Sequence, residues 1–156
     1  MILPFAPAHT QAVMEIWLAA SREAHSFIPM EYWEATAPLV EREILPNAET
    51  RVWVEDGRVA GFLSLVEGDH IGALFVAPAC QGRGIGKKLL EDAKKGRQLL
   101  TLAVYRENQG AERFYRREGF VPLEERTDEA TGHPELLMVW RAGGGYEKSH
   151  PFGSYS

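Results

Sequence analysis

The segment from Ile71 to Ala93 constrains this chain more than any other. Ile71, Leu74, Phe75 and Val76 form an apolar run, and Pro78 ends it, because proline cannot donate to a strand ladder. Glycines then alternate at 82, 84 and 86. From Ile85 the apolar residues recur at 85, 89, 90 and 93, the spacing of one helix face. The segment therefore reads as strand, tight glycine turn, helix. Such a turn leaves backbone N–H groups unpaired at the helix start, where the positive end of the helix dipole favours an anion. Arg83, Lys87 and Lys88 add formal positive charge there. A phosphate-binding turn is the expectation.

Two common glycine motifs are excluded by spacing. A nucleotide P-loop needs Gly-Lys followed by Ser or Thr, whereas Gly86-Lys87 is followed by Lys88. The dinucleotide fingerprint beginning Gly82-x-Gly84 needs glycine at 87, which is lysine. What stands here is Gln81-Gly82-Arg83-Gly84-Ile85-Gly86, a Gln-x-x-Gly-x-Gly directly after a strand ending Val-x-Pro. This resembles the acyl-CoA pyrophosphate loop of the GNAT N-acetyltransferase superfamily.

The rest of the chain reads in an order compatible with that resemblance. Ile2 to Phe5 is a short strand, followed by an amphipathic helix from His9 or Thr10 through Val13, Ile16, Trp17 and Ala20. Ser21 to Pro29 breaks the pattern, and Tyr32 to Leu45 resumes it. Asp56-Gly57 marks a hairpin between Arg51–Glu55 and Val59–Val66, and Gly68-Asp69 a second turn. After a helix closed by Gly96 come a strand at Leu99–Val104, a helix from Asn108 or Gln109 to Gly119, and a hairpin of Phe120–Glu125 with Glu135–Trp140. The expected fold is α/β (α+β): a central mixed, mostly antiparallel sheet with helices on both faces. This is also the element order of the GNAT fold. One domain over residues 1–142 is expected, with 143–156 a tail outside the core.

A second motif adds to the resemblance. Asn108-Gln109-Gly110-Ala111-Glu112-Arg113-Phe114-Tyr115-Arg116-Arg117-Glu118-Gly119-Phe120 matches the superfamily's N-x-x-A-x-x-[FL]-Y-x-x-x-G-F, although Gly110 falls inside the first helical turn. The segment W-x-x-x-S-x-x-x-H-x-F-I, formed by Trp17, Ser21, His25, Phe27 and Ile28, resembles the small bacterial YjaB-type branch.

The resemblance implies an N-acetyltransferase that moves acetyl from acetyl-CoA to a primary amine by direct attack. It implies that Gln81, Gly82, Arg83, Gly84, Ile85, Gly86 and Lys87 bind the diphosphate, mostly through main-chain N–H. Leu74, Phe75 and Val76 would offer backbone groups to the pantetheine arm, which in this fold enters where two strands splay. Asn108 would contact that arm, or serve as a plain helix cap. Tyr115 is implied as the acid: a phenol with pKa of about 10 stays protonated at neutral pH and can donate to a thiolate. A half-buried tyrosine without that role is the simpler alternative.

The base is the open role. An amine of pKa about 10.4 is neutral in roughly one molecule per 2,500 at pH 7, so a base helps. His70 begins the organising strand, where many GNAT enzymes place a glutamate, on the alternating face of 70, 72, 74 and 76. Glu67 is the alternative. Trp17, Ser21, His25 and Phe27 are candidate acceptor-binding residues, although aromatics at helical spacing are as readily core. Ser21 and His25 stand at i, i+4 if the first helix continues. No metal site is expected, since His25 lacks partners at ligand spacing. Cys80 as a covalent nucleophile is disfavoured by its place in the loop approach.

Composition sets the outer bounds. With 22 acidic against 17 basic residues the formal net charge is −5, which argues against a nucleic-acid surface. The acceptor is expected to be a small-molecule or protein amine, with a homodimer possible. One cysteine, no apolar run near 20 residues and no signal-peptide pattern point to a cytoplasmic protein without membrane association. The competing readings are a sensor that binds acyl-CoA without turnover, and an acyltransferase with another acyl donor or an alcohol acceptor.

Overall fold

The computed structural model describes residues 1–143, so the expected tail from 143 lies almost wholly outside the described residues. These residues form two compact units, Met1–Ala93 and the part from Lys94 onward. Among the described residues no helix is long and apolar enough to cross a membrane.

In the first unit, β1 (Ile2–Pro4), β2 (Glu49–Glu55), β3 (Arg58–Val66) and β4 (His70–Val76) pair antiparallel in that order. The hairpin joining β2 to β3 turns at Asp56 and Gly57, with φ of 51° and 77°, the left-handed pair that a two-residue hairpin requires. The next turn places its left-handed pair at Glu67 and Gly68, one residue earlier than Gly68-Asp69.

Helix α1 (Thr10–Ala24) buries Val13, Ile16, Trp17 and Ala20 and runs through Ser21, so the expected break comes four residues later. Helix α2 (Met30–Leu39) contains Pro38. Proline has no N–H to close the i→i−4 ladder, and the chain continues as a wider π turn, Val40–Ile44, closed by Leu45 N–H to Val40 O.

Helix α1 covers the sheet face carrying Phe62, Ser64 and Val66. Helix α3 (Ile85–Lys94) lies against the opposite face through Ile85, Leu89, Leu90 and Ala93, all buried. Gly61 permits that approach. A Cβ there would stand 3.0 Å from Phe75 O and 3.3 Å from Ile85 Cγ2.

In the second unit, β5 (Leu99–Tyr105), β7 (Pro134–Arg141) and β6 (Val121–Thr127) pair antiparallel in that spatial order. Helix α4 (Gln109–Arg117) packs on β5. Its end is closed by Lys94, whose Nζ donates to Glu118 O at 2.6 Å and lies 5.2 Å from the Trp140 ring centre. Phe120, Leu100, Leu102 and Met138 form the centre of this unit, all 2% exposed or less.

Candidate active site

The glycine loop takes the shape its sequence requires. Pro78–Cys80 forms a 3-10 turn, and Gln81 returns to extended backbone with its Nε2 donating to Val76 O at 3.3 Å. Gly82 and Gly84 have φ of 81° and 80°, a conformation side-chain-bearing residues rarely adopt. A Cβ at either would meet no atom within 4 Å, so the cradle is open. The first i→i−4 bond of α3 runs from Lys88 N–H to Gly84 O at 3.1 Å. The N–H groups just ahead of it stand at the positive end of the helix dipole. An open concave backbone at a helix start suits a diphosphate.

Part of the positive charge beside the loop is already engaged by protein groups. Arg83 is ion-paired with Glu55 at the end of β2. The Lys88 ammonium sits 5.3 Å from the Trp53 ring centre. The main chain is the part of the loop best placed to receive an anion. Cys80 is half-buried in the 3-10 turn.

Leu74, Phe75 and Val76 are half-buried and pair with Leu63, Phe62 and Gly61. One expectation for this strand needs correction. Ser64 pairs with Ala73 but Leu65 pairs with Ile71, so β4 carries one extra residue, Gly72, in a bulge. A one-residue offset exchanges the two faces. His70, opposite Val66, therefore shares its face with Ala73 and Phe75 and not with Leu74 and Val76. That is the face covered by α1. A glycine inside a strand is a recognised bulge signal, and it was available in the sequence.

The same face carries an aromatic cluster. His25 is the C-cap of α1, its N–H bonded to Ser21 O at 2.9 Å, so the i, i+4 relation of Ser21 and His25 is real. The His25 ring lies 5.3 Å from Trp33, 5.9 Å from Phe27 and 6.2 Å from Phe75. Trp17 meets Trp33 edge-on at 5.7 Å. Burial among these rings holds the His25 pKa down to about 4, so the imidazole is neutral at physiological pH. Trp17 and Ser21 are core residues, whereas His25 and Phe27 are partly accessible. Trp33 completes the cluster, and Ser21 Oγ and Trp33 Nε1 are buried in it without a protein hydrogen-bond partner.

In the second unit Asn108 caps α4, its Oδ1 accepting from Ala111 N–H at 3.2 Å. That bond leaves the Nδ2 donors as the part of the side chain suited to a ligand. Tyr115 is 9% exposed, with its ring 5.1 Å from Phe114 and 5.6 Å from Phe120. Burial pushes its phenol pKa above the ordinary value, so it remains a proton donor throughout the physiological range. Two ties that no sequence pattern announces hold the loop after β6. Tyr105 Oη donates to Asp128 Oδ2 at 2.5 Å, and His133 Nδ1 lies 2.6 Å from Glu107 Oε1.

Comparison with known proteins agrees with these features. The model of the acetyltransferase (GNAT) family matches residues 10–120. The chain is 40% identical over 129 residues to the peptidyl-lysine N-acetyltransferase YiaC of Escherichia coli K12, covering 83% of this chain and 88% of YiaC. It is 35% identical over 129 residues to the peptidyl-lysine N-acetyltransferase YjaB of the same strain, covering 82% and 86%. The solution structure of apo YjaB from Escherichia coli superposes with a TM-score of 0.79 at 29% identity, covering 90% of this chain and 96% of YjaB. The fold is thus the α+β GNAT fold, and the co-substrate is acetyl-CoA. The chain belongs to the GNAT family and is an acetyl-CoA-dependent N-acetyltransferase.

Proposed function

We propose that the acceptor is a lysine side chain in a peptide or protein, acetylated by direct attack of its neutral amine on the acetyl thioester. The observation that carries donor binding is the open main-chain cradle at Gly82 and Gly84 ahead of α3. The lysine acceptor is supported by two relatives at 40% and 35% identity, both peptidyl-lysine N-acetyltransferases by name. The net charge of −5 favours cationic acceptors through steering.

In this reading Gln81 to Lys87 hold the diphosphate of coenzyme A, and Leu74 to Val76 with Asn108 hold the pantetheine arm. Acetyl-CoA supplies an activated acetyl group with a thiolate as leaving group. His70 takes the proton that the ammonium must lose, directly or through water. Tyr115 gives its proton to the departing sulfur, a role that requires a group still protonated at working pH. His25 and Phe27 form the acceptor side, backed by the buried Trp17 and Ser21, on the sheet face that also carries His70. One catalytic domain over residues 1–142 is consistent with a family match that runs through both units. The single cysteine and the co-substrate support a cytoplasmic place of action, and self-association through the β6–β7 hairpin is part of the same proposal.

The test is acetylation of a panel holding lysine peptides, blocked-lysine peptides with free α-amines, and small polyamines. Mass spectrometry would locate the added acetyl group, and His70→Gln would be run beside the wild type. Acetyl on lysine Nζ is expected, with kcat/KM of His70→Gln about 10²- to 10⁴-fold below the wild type. Modification confined to α-amines or polyamines would overturn the lysine reading.

A further inference from the structure

Between α1 and the π turn that follows α2 the first unit holds a cavity of roughly 100 Å³. Val13 and Trp17 form one wall, Val40 and Ile44 the other, and Phe62 and Ala73 the floor. The lining hydroxyl, Ser64 Oγ, is engaged with Thr50 Oγ1 at 2.8 Å. No ionisable side chain lines the space. An apolar cavity of about 150 Å³ takes benzene or xenon, so this smaller one matches a branched aliphatic group of about four carbons.

Two departures from regular structure make the space. The π turn Val40–Ile44 stands where a continuing α-helix would have run. The bulged residue of β4, Gly72, forms one corner, where a Cβ would stand 3.3 Å from Val66 Cγ1. Ile44 and Gly72 line the cavity and are also exposed, so it opens to solvent beside them. Around that opening the π turn carries Glu41 and Glu43 on either side of Arg42, between the lining residues Val40 and Ile44, and Glu67 follows Val66, so carboxylates outnumber the one cation. An apolar interior with a net-negative rim complements a cationic chain that carries an aliphatic side chain.

We propose that this cavity is a specificity subsite for an aliphatic residue, leucine or isoleucine, near the acetylated lysine of the acceptor; this rests on the lysine-peptide reading above. The cavity floor at Ala73 shares its face with His70, three residues back along β4. That separation is about 10 Å at strand rise, which about three residues of an extended peptide span.

The experiment uses peptides with one lysine and either alanine or leucine at each flanking position, read by thiol release. At one position leucine is expected to raise kcat/KM about 10- to 50-fold over alanine. In Val40→Phe, which fills the space, and Ile44→Trp, which blocks the opening, the ratio should fall towards one. Xenon-pressurised crystals should hold xenon between Val13, Val40 and Ala73 in the wild type and none in Val40→Phe. Equal turnover of leucine and alanine peptides at every position would overturn the subsite. If small amines but no peptides were turned over, the lysine reading fails by itself. Calorimetric binding of the same peptides then decides the subsite, and equal leucine and alanine affinities would overturn it.

Discussion

Arg83, in the middle of the glycine loop, is ion-paired with Glu55, 28 residues earlier at the end of β2. Each is partly exposed, at 50% and 33%, so the bond is one a charged ligand can compete for. Glu55 also places a negative charge beside the cradle proposed above to receive a diphosphate. Removing it in Glu55→Gln should tighten coenzyme A binding about two- to fivefold at low salt. The gain should fade as ionic strength rises. Calorimetric titration at two salt concentrations checks both, and an unchanged Kd at low salt would show that Glu55 has no part in the loop.

The loop's backbone shape, more than its side chains, is expected to set donor affinity. At Gly84 the φ of 80° is strained for a β-branched residue but accessible to asparagine, and no atom lies within 4 Å to clash. Gly84→Val should therefore weaken coenzyme A binding about tenfold or more, while Gly84→Asn loses much less. Melting temperatures should differ little between the two. A steric account of the loop would instead predict losses that follow side-chain volume, so comparable defects in both variants would refute the conformational one.

Tyr115 is held by Phe114 and Phe120, contacts that phenylalanine would keep. Tyr115→Phe is expected to fold normally and to bind acetyl-CoA with a Kd within about twofold of the wild type. If the hydroxyl protonates the departing thiolate, kcat should drop on the order of 10²- to 10⁴-fold. Because burial raises the phenol pKa, its deprotonation should produce no loss of rate between pH 8 and 10 in the wild type. Full activity in Tyr115→Phe would return the residue to a packing role.

Most of the element order was legible because glycine and proline punctuate it. Asp56-Gly57, Gly96 and Gly119 each close an element through a left-handed residue, as their sequence positions announce. The shape of the glycine loop was legible for the same reason, since Gly82 and Gly84 supply the left-handed backbone that forms it. What pattern reading missed depends on tertiary context. The run His70–Val76 shows simple alternation unless Gly72 is taken as an inserted residue, and only pairing with β3 reveals that. The π turn follows from how the chain recovers after Pro38. Pairs such as Arg83 with Glu55 and Tyr105 with Asp128 join residues that no local periodicity relates.

His25 gives the stability of the fold an acid dependence that can be worked out in sign. Its pKa is about 4 when folded, because the neutral ring is buried among Trp33, Phe27 and Phe75, against an ordinary value of 6.5. Between those values the unfolded chain binds the proton and the folded chain does not, so stability rises with pH across that window. The contribution is lost as pH falls from 6.5 towards 4 and is constant above it. Over the whole window it amounts to about 3 kcal/mol. Urea unfolding at pH 7.0 and pH 4.5 should show the wild type losing about 2 kcal/mol more than His25→Phe, whose ring cannot take a proton. Equal acid losses in the two proteins would mean that the His25 ring takes up a proton in the folded state as readily as in the unfolded chain, and that its packing against Trp33, Phe27 and Phe75 does not keep it neutral.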